Sequence, residues 1–264
     1  MFKATHYLGL ALLLGVAGCS TLPESRSHAY RMSEAISYAR EYPVQGIDVS
    51  KYQGEIDWHR VRSSGIRFAW IKATEGGDHL DERFQENWEN SKAAGVKRGA
   101  YHFVFWCRPW YEEINWFKQN VPVEPDALPP VLDVEATPDS KSCHRHLSKE
   151  EVVPEMRAML TEMERYYGKK PIIYSTVDFY QAILSDGDLS DFPIWVRSTK
   201  YEPTHHYGDR KWHFWQYQAD GNVPGIEAKV DRNVFFGNER QWHTWLNVDD
   251  QQQVAVDENV TDDQ

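Results

Sequence analysis

The chain has 264 residues, a formal net charge of −11 and 41% hydrophobic residues. That length suits one barrel-sized domain with a complete core, and the negative balance excludes the basic face that a nucleic-acid partner needs. Eleven Trp and fourteen Tyr are many for the length; flat apolar rings fill cores and also stack on sugar faces, and composition does not separate the two.

The chain opens like an export signal. Lys3 supplies the positive end, Leu8–Val16 is an apolar run too short to span a bilayer comfortably, and Val16-Ala17-Gly18-Cys19 follows. Small residues directly before a Cys resemble the lipobox of bacterial lipoproteins, in which residues 1–18 are removed and Cys19 becomes the lipidated N-terminus. A plain signal peptide or an uncleaved anchor is the alternative. Loss of residues 1–18 removes one Lys and no acid, taking the charge from −11 to −12. Residues 19–43 are polar and read as a tether, in which Met32–Arg40 permits a short helix. Residues 247–264 are acidic, lack Lys and Arg, and read as a disordered tail. The domain is expected between them, over 44–246.

Within that domain β-rich runs alternate with helical ones. Gly46–Ser50 is a strand, and Ile56–Ser63 a helix stopped at Gly65. Arg67–Ala73 is a strand, and Asp81–Ala94 a helix with Phe84, Trp88 and Ser91 on one face. Lys97–Phe105 is a strand, and Pro109–Asn120 a helix with Pro at its start. Pro130–Glu135 is a strand, and Ser148–Tyr167 a helix with a capping-box pattern at Ser148 and Glu151. Pro171–Ser175 is a strand and Val177–Leu184 a helix. Helices then fade, and Pro193–Arg197, His213–Gln218 and Lys229–Phe235 are strands joined by Gly/Pro-rich loops. Eight strands, the first five followed by helices, predict an α/β fold: a single β/α barrel, TIM-like, with reduced helices in the last three units.

Four acids are expected at or near the C-terminal ends of predicted strands: Asp48, Asp133, Glu135 and Asp231. Barrel strands deliver their C-termini to a shared mouth where active sites sit. Asp133 and Glu135 are two apart, so a strand points both to one face, roughly 7 Å apart. Their apolar flanks favour desolvation, which raises a carboxyl pKa. A protonated Glu is what a glycosidase needs at its leaving oxygen. Taken singly, each acid reads equally as a solvated loop end. No compact loop or His spacing marks a metal site, so no metal or cofactor is expected, and Cys107 lacks the surroundings of a catalytic thiol.

These residues belong to a longer pattern. Gly46-Ile-Asp-Val-Ser-Lys-Tyr-Gln-Gly54, Ile56-Asp-Trp58, Phe68-Ala-Trp-Ile-Lys-Ala-Thr-Glu-Gly76, Gly99-Ala-Tyr-His-Phe103, Leu132-Asp-Val-Glu135, Ile172-Ile-Tyr-Ser175, Trp215-Gln-Tyr217 and Val230-Asp-Arg-Asn233 occur in this order. The chain thereby resembles the glycoside hydrolase family 25 lysozymes, the Chalaropsis-type muramidases. The resemblance implies a β/α barrel that hydrolyses the β-1,4 bond between N-acetylmuramic acid and N-acetylglucosamine. It implies Glu135 as general acid and base, Asp133 as its partner, and Asp48 and Asp231 as further acids of the cleft. By analogy with other D-x-E enzymes it favours attack by the substrate's own acetamido oxygen over attack by a second carboxylate. Tyr101, His102, Tyr174, Trp195 and Gln216 are secondary candidates for sugar contacts or for orienting the acids, with core packing the alternative for the aromatics. Lys72 and Glu75 are expected to pair with each other or with the central acids.

Two stretches depart from the family pattern. Phe103 leads into Val-Phe-Trp-Cys-Arg-Pro-Trp in place of a simpler polar turn, and Trp195-Val-Arg-Ser-Thr-Lys-Tyr201 replaces the usual Trp-Ile-Ala-x-Tyr. Cys107 follows the third strand and Cys143 the fourth; neighbouring strands bring these loops together, so a Cys107–Cys143 disulfide is expected in the exported protein. Peptidoglycan glycan strands are the expected partner, the membrane is reached through lipid on Cys19, and a monomer is expected. A glycan-binding barrel without turnover and a glycosidase of another N-acetylated polymer are the alternatives. All four acids are present, which disfavours the first; the longer acid run typical of chitinases is absent, which disfavours the second. Ser20 after the Cys resembles sorting to the periplasmic face of an outer membrane.

Overall fold

A computed structural model of the chain describes residues 33–137 and 140–247. The expected signal peptide, Cys19, the tether as far as residue 32 and the acidic tail from residue 248 lie outside the described residues. Among the described residues no helix is long and apolar enough to cross a membrane.

The strands are β1 (Gln45–Val49), β2 (Ile66–Glu75), β3 (His79–Leu80), β4 (Lys97–Phe103), β5 (Val131–Val134), β6 (Ile172–Ser175), β7 (Ile194–Arg197), β8 (Phe214–Gly221) and β9 (Val230–Phe235). The helices are α1 (Glu34–Ala39), α2 (Trp58–Ser63), α3 (Phe84–Ala93), α4 (Trp110–Asn120), α5 (Lys149–Tyr167), α6 (Val177–Phe179), which runs on into a π turn (Tyr180–Leu184), and α7 (Thr204–Tyr207). The sheet runs β1-β9-β8-β7-β6-β5-β4-β2, and a β1–β2 pairing closes it into an eight-stranded barrel with β3 hanging on β2. Pairing is parallel from β1 through β8, as the β/α pattern requires. β9 alone in the barrel wall runs antiparallel to both neighbours, β8 and β1. A parallel neighbour needs a long crossover; the short Gly/Pro loop between β8 and β9 leaves no room for one, so the chain reverses.

Two cores result from the alternation of side chains along each strand. Inside the barrel Phe68, Trp70, Val131, Ile172, Trp195 and Phe214 fill the interior, and Trp242 packs on Phe68, Phe214 and Phe235. Outside it Ile47, Ala69, Leu132, Ile173 and Val196 face the helices. The two large rings of β2 need space from both neighbouring strands. A Cβ on Gly46 would lie 2.3 Å from the Phe68 ring, and one on Gly99 would lie 2.1 Å from that of Trp70. Here glycine is required by a close approach.

Two expectations change. The folded body begins before residue 44. Ser33 caps α1 by accepting from the Ile36 amide at 3.3 Å, Ala35 and Ala39 are fully buried, and the Ala35 amide donates to the Lys200 carbonyl. Residues 33–43 therefore belong to the domain and not to a tether. Their buried face consists mainly of alanines, which leave a faint apolar signal. The Ser148–Glu151 capping box does not form: Ser148 stands at the N-cap of α5 without a side-chain cap bond, and Glu151 faces Arg145 at 3.6 Å.

A disulfide joins Cys107 to Cys143 and closes 36 residues of chain. Loop-closure entropy assigns such a link about 4 kcal/mol. The Cys107→Ser/Cys143→Ser double variant is expected to unfold several degrees lower in differential scanning calorimetry; an unchanged midpoint would show that the loops hold each other without it.

Candidate active site

The four acids meet at one rim of the barrel. Asp48 is the penultimate residue of β1, Asp133 that of β5, and Glu135 follows β5 directly. Asp231 arrives differently from the expectation. It is the second residue of β9, near the strand's start, and the reversed direction of β9 brings that start to the rim where the other strands end. Asp48 and Asp231 are direct cross-strand partners. All four line a cleft of about 810 Å³ with Tyr101, Tyr174, Trp195 and Gln216.

Asp48 anchors a hydrogen-bonded set. Its Oδ2 accepts from Asn233 Nδ2 at 2.7 Å and from Gln216 Nε2 at 3.0 Å. Asn233 Oδ1 accepts from Trp195 Nε1 at 2.8 Å, and Gln216 Oε1 accepts from Tyr174 Oη at 3.0 Å. The acceptor of each amide is thus engaged by an obligate or strong donor, which leaves the NH₂ group for Asp48 and fixes both amides. Trp195 also stacks on Trp70, with ring centroids 5.7 Å apart. At 2% exposure Trp195 is floor, and Tyr174 and Gln216 at 5% and 3% are nearly as covered. These three residues hold the acids more than they present surface to a sugar.

Burial dominates the carboxyl groups. Asp231 is pushed up to about 9, first by burial and then by the neighbouring Asp48. It is therefore protonated near neutrality beside Asp48, which burial also raises and which the hydrogen bonds from Asn233 and Gln216 draw back towards the ionised form. Asp133 is raised well above the usual range by burial and then by Glu135. Glu135 is also raised by burial; Arg197, Lys72 and a hydrogen bond from Asp133 draw it back, while Asp48 pushes it further up. Burial thus favours the protonated form at both carboxyls of the D-x-E pair. Asp133 Oδ1 is buried and has no hydrogen-bond partner.

Arg197, at the end of β7, lies in the cleft wall in the segment that departs from the family pattern, which has Ala there. Its charge acts on Glu135, Asp48 and Asp231 together. Around Glu135 the other charged groups are Asp133, Asp48 and Lys72, the last paired with Glu75 at 2.7 Å. Removing Arg197 removes a stabiliser of the Glu135 carboxylate, so its pKa rises further. The alkaline limb of kcat/KM, where an essential acid loses its proton, is expected to move to higher pH in Arg197→Ala and to stay in place in Arg197→Lys. Coincident limbs in all three proteins would remove Arg197 from this role.

His102 does not reach the cleft. Strand alternation sends it to the helix side of β4, fully buried, with Nδ1 2.7 Å from Thr74 Oγ1 and Nε2 3.0 Å from Glu113 Oε2. Glu113, from α4, also accepts the Phe105 amide at 2.9 Å. This buried set pins the chain after β4. The period-2 rule excludes His102 once Tyr101 is assigned to the mouth. Sequence reasoning also missed Tyr52, 76% exposed on the cleft rim, whose ring is the most open in the cleft. Its signal was its place three residues beyond Val49, on the first loop of the mouth.

The unusual turn after β4 supports Glu135. Trp106 Nε1 donates to the Glu135 carbonyl at 2.8 Å, its ring stacks on Phe179 at 5.5 Å, and its neighbour Cys107 carries the disulfide. Among the described residues no cluster of His, Cys, Asp or Glu has the arrangement of a metal site.

The chain and its fold are similar to known proteins. The family described as "Glycosyl hydrolases family 25" matches residues 47–226. An Escherichia coli O157:H7 protein, YegX, is 37% identical over 225 residues, covering 81% of this chain and 77% of its own. Lysozyme M1 of Streptomyces globisporus is 37% identical over 209 residues, covering 74% and 68%. Among solved structures, a family 25 glycosyl hydrolase from Bacillus anthracis superposes with a TM-score of 0.70 at 36% identity, covering 77% of this chain and 94% of that one. The chain belongs to family 25 of the glycosyl hydrolases.

Proposed function

We propose that this protein hydrolyses the glycan strands of peptidoglycan at the β-1,4 bond between N-acetylmuramic acid and N-acetylglucosamine, with Glu135 as general acid and base and Asp133 as the group that orients the reacting acetamide. The observation that carries this reading is the convergence of Asp133 and Glu135, with Asp48 and Asp231, on one cleft at the mouth of the barrel. An acetamide N–H held by Asp133 favours the carboxylate form of Asp133, so the proton of the pair is carried by Glu135, whose pKa burial raises. Glu135 then gives it to the glycosidic oxygen as the C1–O bond breaks, while the acetamide oxygen bonds to C1. In the second half Glu135 takes a proton from water, the water oxygen bonds to C1, and the C1–acetamide bond opens. Configuration at C1 is retained, a substrate-assisted variant of the retaining scheme. Asp48 and Asp231 shape and hold the cleft as a pair.

Relatives named as lysozymes and muramidases support this reading. The export signal supports action outside the cytoplasm, and Val16-Ala17-Gly18-Cys19 supports anchorage through lipid on Cys19, at the periplasmic face of an outer membrane. The test is digestion of purified sacculi followed by mass spectrometry of the new ends. Reducing ends at muramic acid are expected. Binding without release would make the protein a glycan-binding barrel, and reducing ends at glucosamine would assign the other bond.

A further inference from the structure

A second cavity of about 400 Å³ opens beside the disulfide, inside the range of about 300–1,000 Å³ typical of small-ligand sites. It is continuous with the catalytic cleft, since Ala136 and Asp178 line both. Ala136 directly follows Glu135. A substituent hanging from a sugar held at Glu135 therefore enters this groove without leaving the protein surface.

Its chemistry is not that of a further sugar site. A pyranose needs an open ring face to stack on, and the two large rings here, Trp106 and Phe179, are stacked on each other and 2% and 1% exposed. The remaining walls are small and aliphatic, from Leu147, Ala182 and Ile183. The rim carries His144 and His146, both exposed, whose imidazole N–H groups donate to carboxylates. Arg145 between them is engaged: it forks onto Glu155 with two contacts of 2.9 Å and donates to the Trp106 carbonyl at 3.1 Å, which sets the wall. Among the described residues Asp178, at the junction, is the one carboxylate that lines the groove, in a chain whose net charge is −11.

Aliphatic walls sized for methyl groups and a rim of carboxylate donors suit a short acidic peptide rich in alanine. Such a peptide is attached through the lactyl group to the muramic acid of peptidoglycan. We infer that this groove binds the stem peptide of the substrate, so that the enzyme prefers peptide-bearing to peptide-free glycan. This rests on the hydrolase reading above. The departure from the family pattern after Phe103 then has a purpose: Trp106 lines the groove, and Cys107 ties this turn to Cys143, which lines it as well.

The test compares kcat/KM of the wild type on peptide-bearing glycan fragments with that on the same fragments stripped of peptide by an amidase. A preference on the order of tenfold is expected, about 1.4 kcal/mol. Ala182→Trp, which fills the groove, and His146→Glu, which places a carboxylate on its rim, lie on separate segments, and each is expected to bring the ratio towards one. Damage to folding lowers both rates together and leaves the ratio intact. Equal rates on the two substrates in the wild type, or a ratio that survives both substitutions, would overturn the inference. If the wild type cleaves neither substrate, it is the hydrolase reading that falls. The groove is then read by calorimetric titration with N-acetylmuramoyl-tetrapeptide, whose affinity has to drop in both variants for the inference to stand.

Discussion

Glu135→Gln is expected to lower kcat/KM on purified sacculi on the order of 10³-fold while the protein still sediments with them. Gln matches Glu in shape and keeps the backbone carbonyl that Trp106 Nε1 holds at 2.8 Å, so the loop geometry has no reason to change. What disappears is the group that moves a proton to the leaving oxygen and later takes one from water, a contribution of 10²–10⁴-fold in general acid–base catalysis. Asp133 does not substitute for it: it is only 7% exposed, inside the strand wall, and in the proposed mechanism it holds the acetamide. The readout is release of reducing ends, with a co-sedimentation assay for binding. A variant keeping more than about a tenth of wild-type turnover would move the proton donor elsewhere, with Asp231, itself protonated near neutrality, the next group to substitute.

The residues that locate this site were legible because barrel geometry turns a place in the chain into a place in space. Asp48 and Asp133 lie one residue before their strands end, Glu135 lies just beyond, and a closed sheet brings those ends to one rim. Asp231 reached the same rim for a reason the sequence expectation did not contain, the reversal of β9. The pattern of alternating residues reads the same in either direction, so strand polarity was not encoded in it; the short β8–β9 loop was the available clue. His102 shows the converse. A motif neighbour of Tyr101 was carried to the mouth with it, although consecutive strand residues point to opposite faces. Arg197 was visible only as a departure from the family pattern, and its reach across the cleft to three carboxyl groups depends on distances that no local pattern supplies. The short helix that Met32–Arg40 permits is present, but the sequence leaves it in the tether because two alanines carry its burial.

Asp133→Asn is expected to cost on the order of 10²-fold in turnover, the scale of removing one group aimed at charge that develops in the transition state. If Asp133 acts on the substrate's acetamide, its loss and the loss of the acetyl group disable the same interaction, and residues or groups that act through one contact do not contribute additively. Four rates decide the matter: wild type and Asp133→Asn, each on N-acetylated and de-N-acetylated glycan. The wild type is expected to slow sharply on the de-N-acetylated strand, and the substitution to add little beyond that. Had Asp133 instead attacked C1 as a nucleophile, the amide would abolish cleavage of both strands alike, and external azide would restore turnover to a small-residue variant by occupying the vacated space. Full-rate cleavage of the de-N-acetylated strand by the wild type would exclude acetamide participation. The buried, unpartnered Oδ1 would then need another substrate group to satisfy it, because a desolvated carboxyl oxygen left unpaired costs more than a typical hydrogen bond gains.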